Sequence, residues 1–380
     1  MTNLEEDYLI LIADDEEDIR LNLCDYLELE GFETMNAPNG AEALNLLQNN
    51  APQIIISDLM MPEMSGLELL EELRKRNVDI PVVIMTAFGT IDYAVKAMKE
   101  GAADFITKPI DYDFLLRIIQ RVMKTAQLEQ KVKEQQRQME TDLHLAGMIQ
   151  KTLLPKPIDN PRLVMNYRFE PLIEIGGDNL TVHTYDEDHI AVALFDVAGH
   201  GVSGALVANL VQNELTKRME EERPPFNVVE HLHRFVLKTI GDTGMFLTLV
   251  FADIDVETLT LTVCNAGHPD LLVWKQANHV LESIGSHVPA IGFPMRLTSD
   301  NAESKIPLSS GDRIILYTDG FPETIDHSGL LLGKERFKEI IERNIRFRPV
   351  DFLDEVFRIV DELRSDEPED DRTLALVEIK

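Results

Sequence analysis

The chain has 380 residues, enough for two domains and a connector, and 44% of them are hydrophobic, ample for packed cores. Its formal charge is −31, from 67 acidic against 36 basic residues, and no Lys/Arg cluster interrupts that excess, which argues against a nucleic-acid partner. No apolar run is long enough to span a bilayer, and the start "MTNLEEDYLI" lacks the basic-then-apolar layout of a signal peptide. Cys24 and Cys264 lie in apolar stretches and read as reduced core residues, so the expectation is a cytoplasmic protein with no membrane partner.

Over residues 6–126, strand-length apolar runs alternate with helical patterns. The runs are "YLILIA", "QIIISD", "IPVVIMT" and "ADFITK". Between them, "IRLNLCDYLEL", "GAEALNLLQ", "GLELLEELRKR" and "TIDYAVKAMKE" carry apolar residues at three- and four-residue spacing. This alternation predicts an α/β domain with a doubly wound parallel sheet. Ligands of such sheets lie beyond the carboxyl ends of the strands. Those ends carry Asp14 and Asp15, Asp58, Thr86 and Lys108. Three converging carboxylates repel one another and invite a hard divalent cation such as Mg2+. Asp58 would then attack a phosphoryl donor and hold an acyl phosphate, with Lys108 neutralising its oxygens and Thr86 hydrogen-bonding one of them. A helix start rich in acids accounts for Glu16, Glu17 and Asp18, but not for Asp58 or Lys108 at the ends of separate strands.

The pieces "IADDE", "SDLMMPEMSG", "MTAFG" and "ITKP", in that order, resemble response-regulator receiver domains, whose sheet is flavodoxin-like. The resemblance implies that Asp58 is the phosphoacceptor, served by a sensor histidine kinase or phosphotransfer protein. It implies Mg2+ held by Asp14, Asp15, Asp58 and the Met60 carbonyl. Thr86 and Lys108 would contact the phosphoryl group, Phe105 would be the switch aromatic, and the bond before Pro109 would be cis.

From Asp111 to Pro157 the chain has no glycine before Gly147 and no proline before Pro155, too long a stretch for a loop. Ile118, Thr125, Leu128, Val132, Gln135, Met139, Ala146, Ile149 and Leu153 fall near a 3.5-residue repeat, with Thr125 and Gln135 weakening the seam. We place the linker proper at residues 127–157 and expect a long helix that pairs in a parallel coiled coil, making a homodimer. A single helix packed on its own domain is the alternative. "DLHLAGMIQKTLLP" also resembles the lead-in helix of SpoIIE-type phosphatases.

Over residues 158–380 the pattern changes. "RLVMNYRFEP", "HIAVALFDV", "MFLTLVFADID", "TLTLTVCNAG", "PDLLVWKQ", "DRIILYTDG" and "RTLALVEIK" read as strands. "SGALVANLVQNELTKRM", "FNVVEHLHRFVLKTI" and "VDFLDEVFRIVDELRSD" read as helices. Adjacent strands with helices between the groups predict two sheets covered by helices. In "HIAVALFDVAGHGVSGALVANL" an apolar run ends on Asp196, and Gly199 and Gly201 keep the following loop free of bulk. Its counterparts are Asp178 in "EIGGDN", Asp319 in "YTDG", and Asp370 with Asp371 in "EPEDDRT". Carboxylates from four strand–loop junctions, without His or Cys at ligand spacing, describe an oxygen-ligand site suited to Mg2+ or Mn2+ rather than zinc. Two such ions would activate a water for in-line attack on phosphorus without a protein nucleophile. One Asp-Gly is usually a turn; four motifs in order are not so explained.

Together with "NAGHP" (residues 265–269), these motifs resemble the PPM/PP2C-type serine/threonine phosphatases of the SpoIIE-like branch. The resemblance implies an α-β-β-α sandwich. It also implies two Mn2+ or Mg2+ ions held by Asp178, Asp196, the Val197 carbonyl, Asp319 and Asp370, with Asp371, Gly177 and Gly199 as further contributors. Asp370 is preferred to Asp371 because the family's acid pair ligates through its first member. The implied substrate is a phosphoserine or phosphothreonine protein, a STAS-type anti-anti-sigma factor in a partner-switching pathway. Thr181, Ala198 and Pro322 depart from the family's usual residues without removing a carboxylate. "GLLLGKE" has the wrong spacing for a phosphate loop, His231 and His233 fall on different sides of a helix, and His200 and His268 read as structural loop histidines. The chain thus reads as a response regulator with a phosphatase output. The alternative is a non-catalytic phosphatase-like adaptor that binds a sigma factor or its regulator, which would be expected to have lost some of these acids.

Overall fold

A computed structural model describes residues 8–87, 96–199, 201–221, 224–365 and 370–380. The "TIDYAV" of the expected helix "TIDYAVKAMKE", the "FG" of "MTAFG", His200 and residues 366–369 lie outside them. Two compact units, Met1–Gln138 and Met139–Lys380, divide the chain within a long helix.

In the first unit the order is β1 (Leu9–Ala13), α1 (Glu17–Leu29), β2 (Glu33–Ala37), α2 (Gly40–Leu46), β3 (Ile54–Asp58), α3 (Gly66–Lys75), β4 (Val82–Ala87) and β5 (Asp104–Lys108). The strands form a parallel sheet in the order β2-β1-β3-β4-β5. Successive side chains leave opposite faces. Ile10, Ile12, Ile54 and Ile56 therefore pack with Leu23 and Leu27 of α1, while Leu11, Ile55 and Ile84 pack with Leu69 and Leu73 of α3. The sheet is covered on both faces, as expected. The strand without an apolar run is β2: "ETMNA" is an edge strand, half exposed and largely polar.

Helix α4 (Tyr112–Leu153) follows. Its first turns belong to the receiver core, where Leu115, Ile118, Ile119, Val122 and Met123 pack with β1 and β3. Ile118 is 1% exposed, so it is not part of a seam available to another helix; the apolar period that included it reflects packing against its own sheet. Leu128, Val132, Met139, Ile149 and Leu153 are 45–60% exposed.

The second unit continues with β6 (Ile158–Asp159), β7 (Leu163–Glu170), β8 (Asn179–Thr184), β9 (His189–Val197), α5 (Gly201–Glu221), α6 (Pro225–Ile240), β10 (Leu247–Asp255), β11 (Thr260–Ala266), β12 (Leu271–Lys275) and β13 (Val280–Ile284). It ends with β14 (Ser304–Pro307), β15 (Arg313–Tyr317), α7 (Gly333–Asn344), α8 (Pro349–Leu363) and β16 (Arg372–Ile379). One sheet has the order β14-β11-β10-β9-β8 and the other β13-β12-β15-β16-β7-β6. Alternation along β9 sends Ala191, Ala193, Phe195 and Val197 toward α5 and α6. Ile190, Val192 and Leu194 pack against Ile314, Leu316, Ala375 and Val377 of the other sheet. That second sheet turns Ile315, Tyr317, Leu374 and Leu376 toward α7 and α8. The layers are therefore α-β-β-α. No helix among the described residues is long and apolar enough to cross a membrane.

Candidate active sites

In the receiver, β1 and β3 deliver Asp14 and Asp58 to the same end of the sheet, both buried. The Lys108 ammonium at the end of β5 bridges them, 2.7 Å from Asp58 Oδ1 and 2.9 Å from Asp14 Oδ2. The Met60 N–H donates to Asp58 Oδ2 at 2.9 Å. Burial pushes the Asp58 carboxyl up, against the pull of Lys108 and the Met60 N–H. Burial also works against the Lys108 ammonium, but hydrogen bonds to Asp58 and Asp14 outweigh it and raise its pKa. Thr86 is buried at the end of β4, Phe105 is half-buried against the α2/α3 side, and Asp15 is exposed. The Lys108–Pro109 bond is cis. A Cβ on Gly66, the first residue of α3, would lie 2.3 Å from the Asp58 carbonyl oxygen, so only glycine lets that helix start so close to the strand end.

In the second unit the acids gather where strand ends of the two sheets meet. Asp178 precedes β8, and the register Asn179↔Phe195 places it opposite Asp196, near the end of β9. In the facing sheet, Tyr317↔Leu374 leads to Thr318 opposite Thr373. Both threonine hydroxyls donate to Asp178 Oδ2, from 2.8 Å (Thr318) and 2.7 Å (Thr373), so Asp178 ties the two sheets together. Asp371 is buried and consumed by main chain. Its Oδ1 accepts the Leu172 N–H at 2.7 Å and its Oδ2 the Gly177 N–H at 2.6 Å. Asp370 is half-buried, and its Oδ1 accepts the Asp371 N–H at 2.8 Å. A Cβ on Gly177 would come within 2.9 Å of the Val197 carbonyl oxygen, which brings these two backbone segments into the same corner. Gly199 holds φ +119°.

The charge is unbalanced. Asp196 is pushed up to about 8 by burial and then by Asp319, Asp370, Asp371 and Glu323. Asp319 is raised to about 6 by burial, Asp370 and Glu323. Asp178 lies well above the usual carboxylate range through burial, Asp196 and Asp371. Among the described residues no three His, Cys, Asp or Glu side chains already form a metal cage. Like charges at this spacing keep carboxylates apart until protons or cations neutralise them. The donors are all oxygen and their deficit is positive charge, which fits Mg2+ or Mn2+.

The family model for Stage II sporulation protein E (SpoIIE) matches residues 186–380, more than half of the chain. The chain belongs to the SpoIIE family. Asp196, Val197, Gly199, Asp319, Asp370 and Asp371 fall within the matched residues, and Asp178 just before them. A second model, the response regulator receiver domain, matches residues 10–120. The chain is 39% identical over 124 residues to the regulatory protein AtoC of Escherichia coli (strain K12), covering 33% of this chain and 27% of AtoC. It is 36% identical over 122 residues to the DNA-binding transcriptional regulator NtrC of the same organism, covering 32% and 26%. It thus spans about a quarter of the length of these relatives. The SiaA-PP2C domain of Pseudomonas aeruginosa superposes with a TM-score of 0.56 at 19% identity, over 64% of this chain and 98% of that one, a likeness of fold.

Within the SpoIIE-family domain, several residues near the acids carry no signal in a motif. Glu323, in the loop after Asp319, adds charge to the cluster. Thr318 and Thr373 are signalled only by their alternation with the inter-sheet core. Gln150, from α4, reaches the Asp178 loop. Two histidines are buried. His233 is buried and its Nε2–H donates to the Met295 carbonyl at 2.7 Å. His268 is buried beside Thr248, with Nδ1 2.8 Å from the hydroxyl, and burial pulls it down to about 3, so it stays neutral. Lys334 of "GLLLGKE" lies in the first turn of α7.

Proposed function

We propose that the chain is a response regulator whose output is a metal-dependent protein serine/threonine phosphatase, governed by phosphorylation of Asp58. The observation that carries the phosphatase reading is the geometry that faces Asp178 with Asp196 across the β8–β9 register and holds Asp178 against Thr318 and Thr373 of the other sheet, in an acid cluster short of positive charge. Asp178, Asp196, the Val197 carbonyl, Asp319 and Asp370 would hold two Mn2+ or Mg2+ ions. When bound, these would supply an activated water and polarise the phosphoryl group. Thr318 and Thr373 orient Asp178, Asp371 pins the Leu172–Gly177 backbone, and Gly177 and Gly199 leave room for a phosphorylated side chain to approach. Asp371 supports ligation by fixing that backbone, since each of its oxygens accepts a main-chain N–H.

The proposed substrate is a phosphoserine or phosphothreonine protein of the STAS anti-anti-sigma kind, in partner switching. The exposed apolar residues of α4 support homodimerisation through that helix. With Mn2+, the full chain is expected to hydrolyse para-nitrophenyl phosphate and a phosphoserine protein, and EDTA to stop both. Absent turnover on both substrates would overturn the phosphatase and leave the adaptor, and turnover indifferent to Mn2+ and EDTA would overturn the metal dependence.

For the receiver, Asp58, Lys108 and Asp14 support phosphoryl acceptance, with Mg2+ held by Asp14, Asp15, Asp58 and the Met60 carbonyl and the phosphoryl oxygens met by Thr86 and Lys108. Incubation with acetyl phosphate and Mg2+ is expected to label the parent with a hydroxylamine-sensitive phosphoryl group and to leave Asp58→Asn unlabelled. Equal labelling of the two by intact mass would refute Asp58 as the acceptor.

A further inference from the structure

The last turns of α4 grip the segment that carries Asp178. His144 Nδ1 lies 3.3 Å from Glu174 Oε2. One turn on, a Cβ on Gly147 would stand 2.3 Å from the Glu174 carbonyl oxygen, so helix and loop touch backbone to backbone. One turn further, Gln150 is 1% exposed and both ends of its amide are used. Its Nε2 donates to the Gly176 carbonyl at 2.9 Å, and its Oε1 accepts the Gly176 N–H at 3.1 Å. Residues 144, 147 and 150 share one helical face by their three-residue spacing. Beyond Asp178 a second tether returns to the same helix end. The Asn179 Nδ2 donates to Gln212 Oε1 at 3.2 Å, and Gln212 Nε2 donates to the Leu153 carbonyl at 2.9 Å.

Asp178 is therefore bracketed. Two residues before it, Gly176 is clamped by Gln150; one residue after it, Asn179 is tied through Gln212 to Leu153. Gly176 is also confined from its other side, since a Cβ there would lie 2.4 Å from Asp371 Oδ2. A loop held between a helix amide and a carboxylate has few ways to move without carrying Asp178 along. A buried amide with both groups satisfied by one residue's backbone is costly to break, because each orphaned group loses its partner away from water.

We propose that Gln150 is a positioning residue for Asp178, the latch through which the position of α4 sets the geometry and cation affinity of the acid cluster. The inference rests on the phosphatase reading for its cation. Gln150 touches no reacting atom; it acts through Gly176 on the carboxylate two residues later. A shift or rotation of α4 by part of a turn exchanges the latched loop for an unlatched one, which makes the helix an input to the site and not only a spacer.

The test uses the full chain with Gln150→Met, which keeps the length and loses both hydrogen bonds, and Gln150→Asn, which keeps both groups one methylene short. Circular dichroism establishes folding, and the Asn variant serves if the Met variant does not fold. Calorimetry then measures Mn2+ binding, amide exchange reports on Gly176 and Gly177, and para-nitrophenyl phosphate kinetics are run across a Mn2+ titration. The expected result for a folded variant is Mn2+ affinity lower by about tenfold or more and faster exchange at Gly176 and Gly177. KM is expected near the parent's, and the kcat deficit should shrink as Mn2+ rises. A purely structural glutamine would lower the melting temperature without moving Mn2+ affinity. Parent-like Mn2+ binding and exchange in a folded variant would overturn the inference alone. A parent that binds no Mn2+ would overturn the phosphatase reading and this inference with it.

Discussion

Asp196→Asn is expected to lower Mn2+-dependent hydrolysis of an aryl phosphate by about a thousandfold while raising the thermal stability of the metal-free domain. The two effects share one cause. Asp196 faces Asp178 in the strand register and feels Asp319, Asp370, Asp371 and Glu323, so its charge is both the most useful to a pair of cations and the most costly without them. Asparagine keeps the shape and one acceptor oxygen but removes the negative charge. A residue of purely structural importance would lose activity and stability together. The assay is kcat/KM at several Mn2+ concentrations beside a melting curve in EDTA. Turnover within tenfold of the parent, or a lower metal-free melting temperature with unchanged activity, would remove Asp196 from the centre of the site.

How much of this was legible beforehand depends on where each residue stands. Asp196 sits where a wholly apolar run stops, and Asp58 and Asp319 lie one residue past such runs, after Ser57 and Thr318, where an acid cannot be ascribed to a solvated face. Asp178 and the Asp370–Asp371 pair stood out only as members of a set. Adjacent acids look alike in a sequence, and the fold separates them. Asp371 shares the parity of Thr373 and meets the main chain of Leu172 and Gly177, whereas Asp370 adds to the charge around Asp319. Other features left no local signal. β8 begins right after the Asp178 loop with a mixed pattern, "NLTVHT", and β2 is a polar edge. Ile118 fitted a heptad because the face of a helix that packs on a sheet and the face that packs on another helix have nearly the same period. Gln150 reads as an ordinary polar residue on a helix. Its burial is decided by Gly147 and Gly176, glycines that let helix and loop approach, and that pairing is visible only in three dimensions.

The pH dependence of stability should change direction when cations are added. Without metal, the folded state holds the Asp196 proton up to about 8 and the Asp319 proton up to about 6, with Asp178 raised as well. The unfolded chain releases the same protons near the ordinary aspartate value of about 4. Between those limits the folded state binds more protons than the unfolded one, so the stability these groups contribute is complete below the unfolded pKa and is lost as pH rises through the folded values. The metal-free melting temperature of the second unit is therefore expected to fall from pH 5 to pH 8. Bound Mn2+ competes with those protons, so its stabilisation should grow as the acids ionise. The increment produced by saturating Mn2+ should be larger at pH 8 than at pH 5. Asp58 is raised too and contributes with the same sign from the receiver. Running the series on Asp58→Asn isolates the phosphatase acids, and adding Asp196→Asn should flatten the metal-free slope. A metal-free melting temperature that climbs across this range, or a Mn2+ increment independent of pH, would mean that the acids are not the coupled cluster from which the site is built.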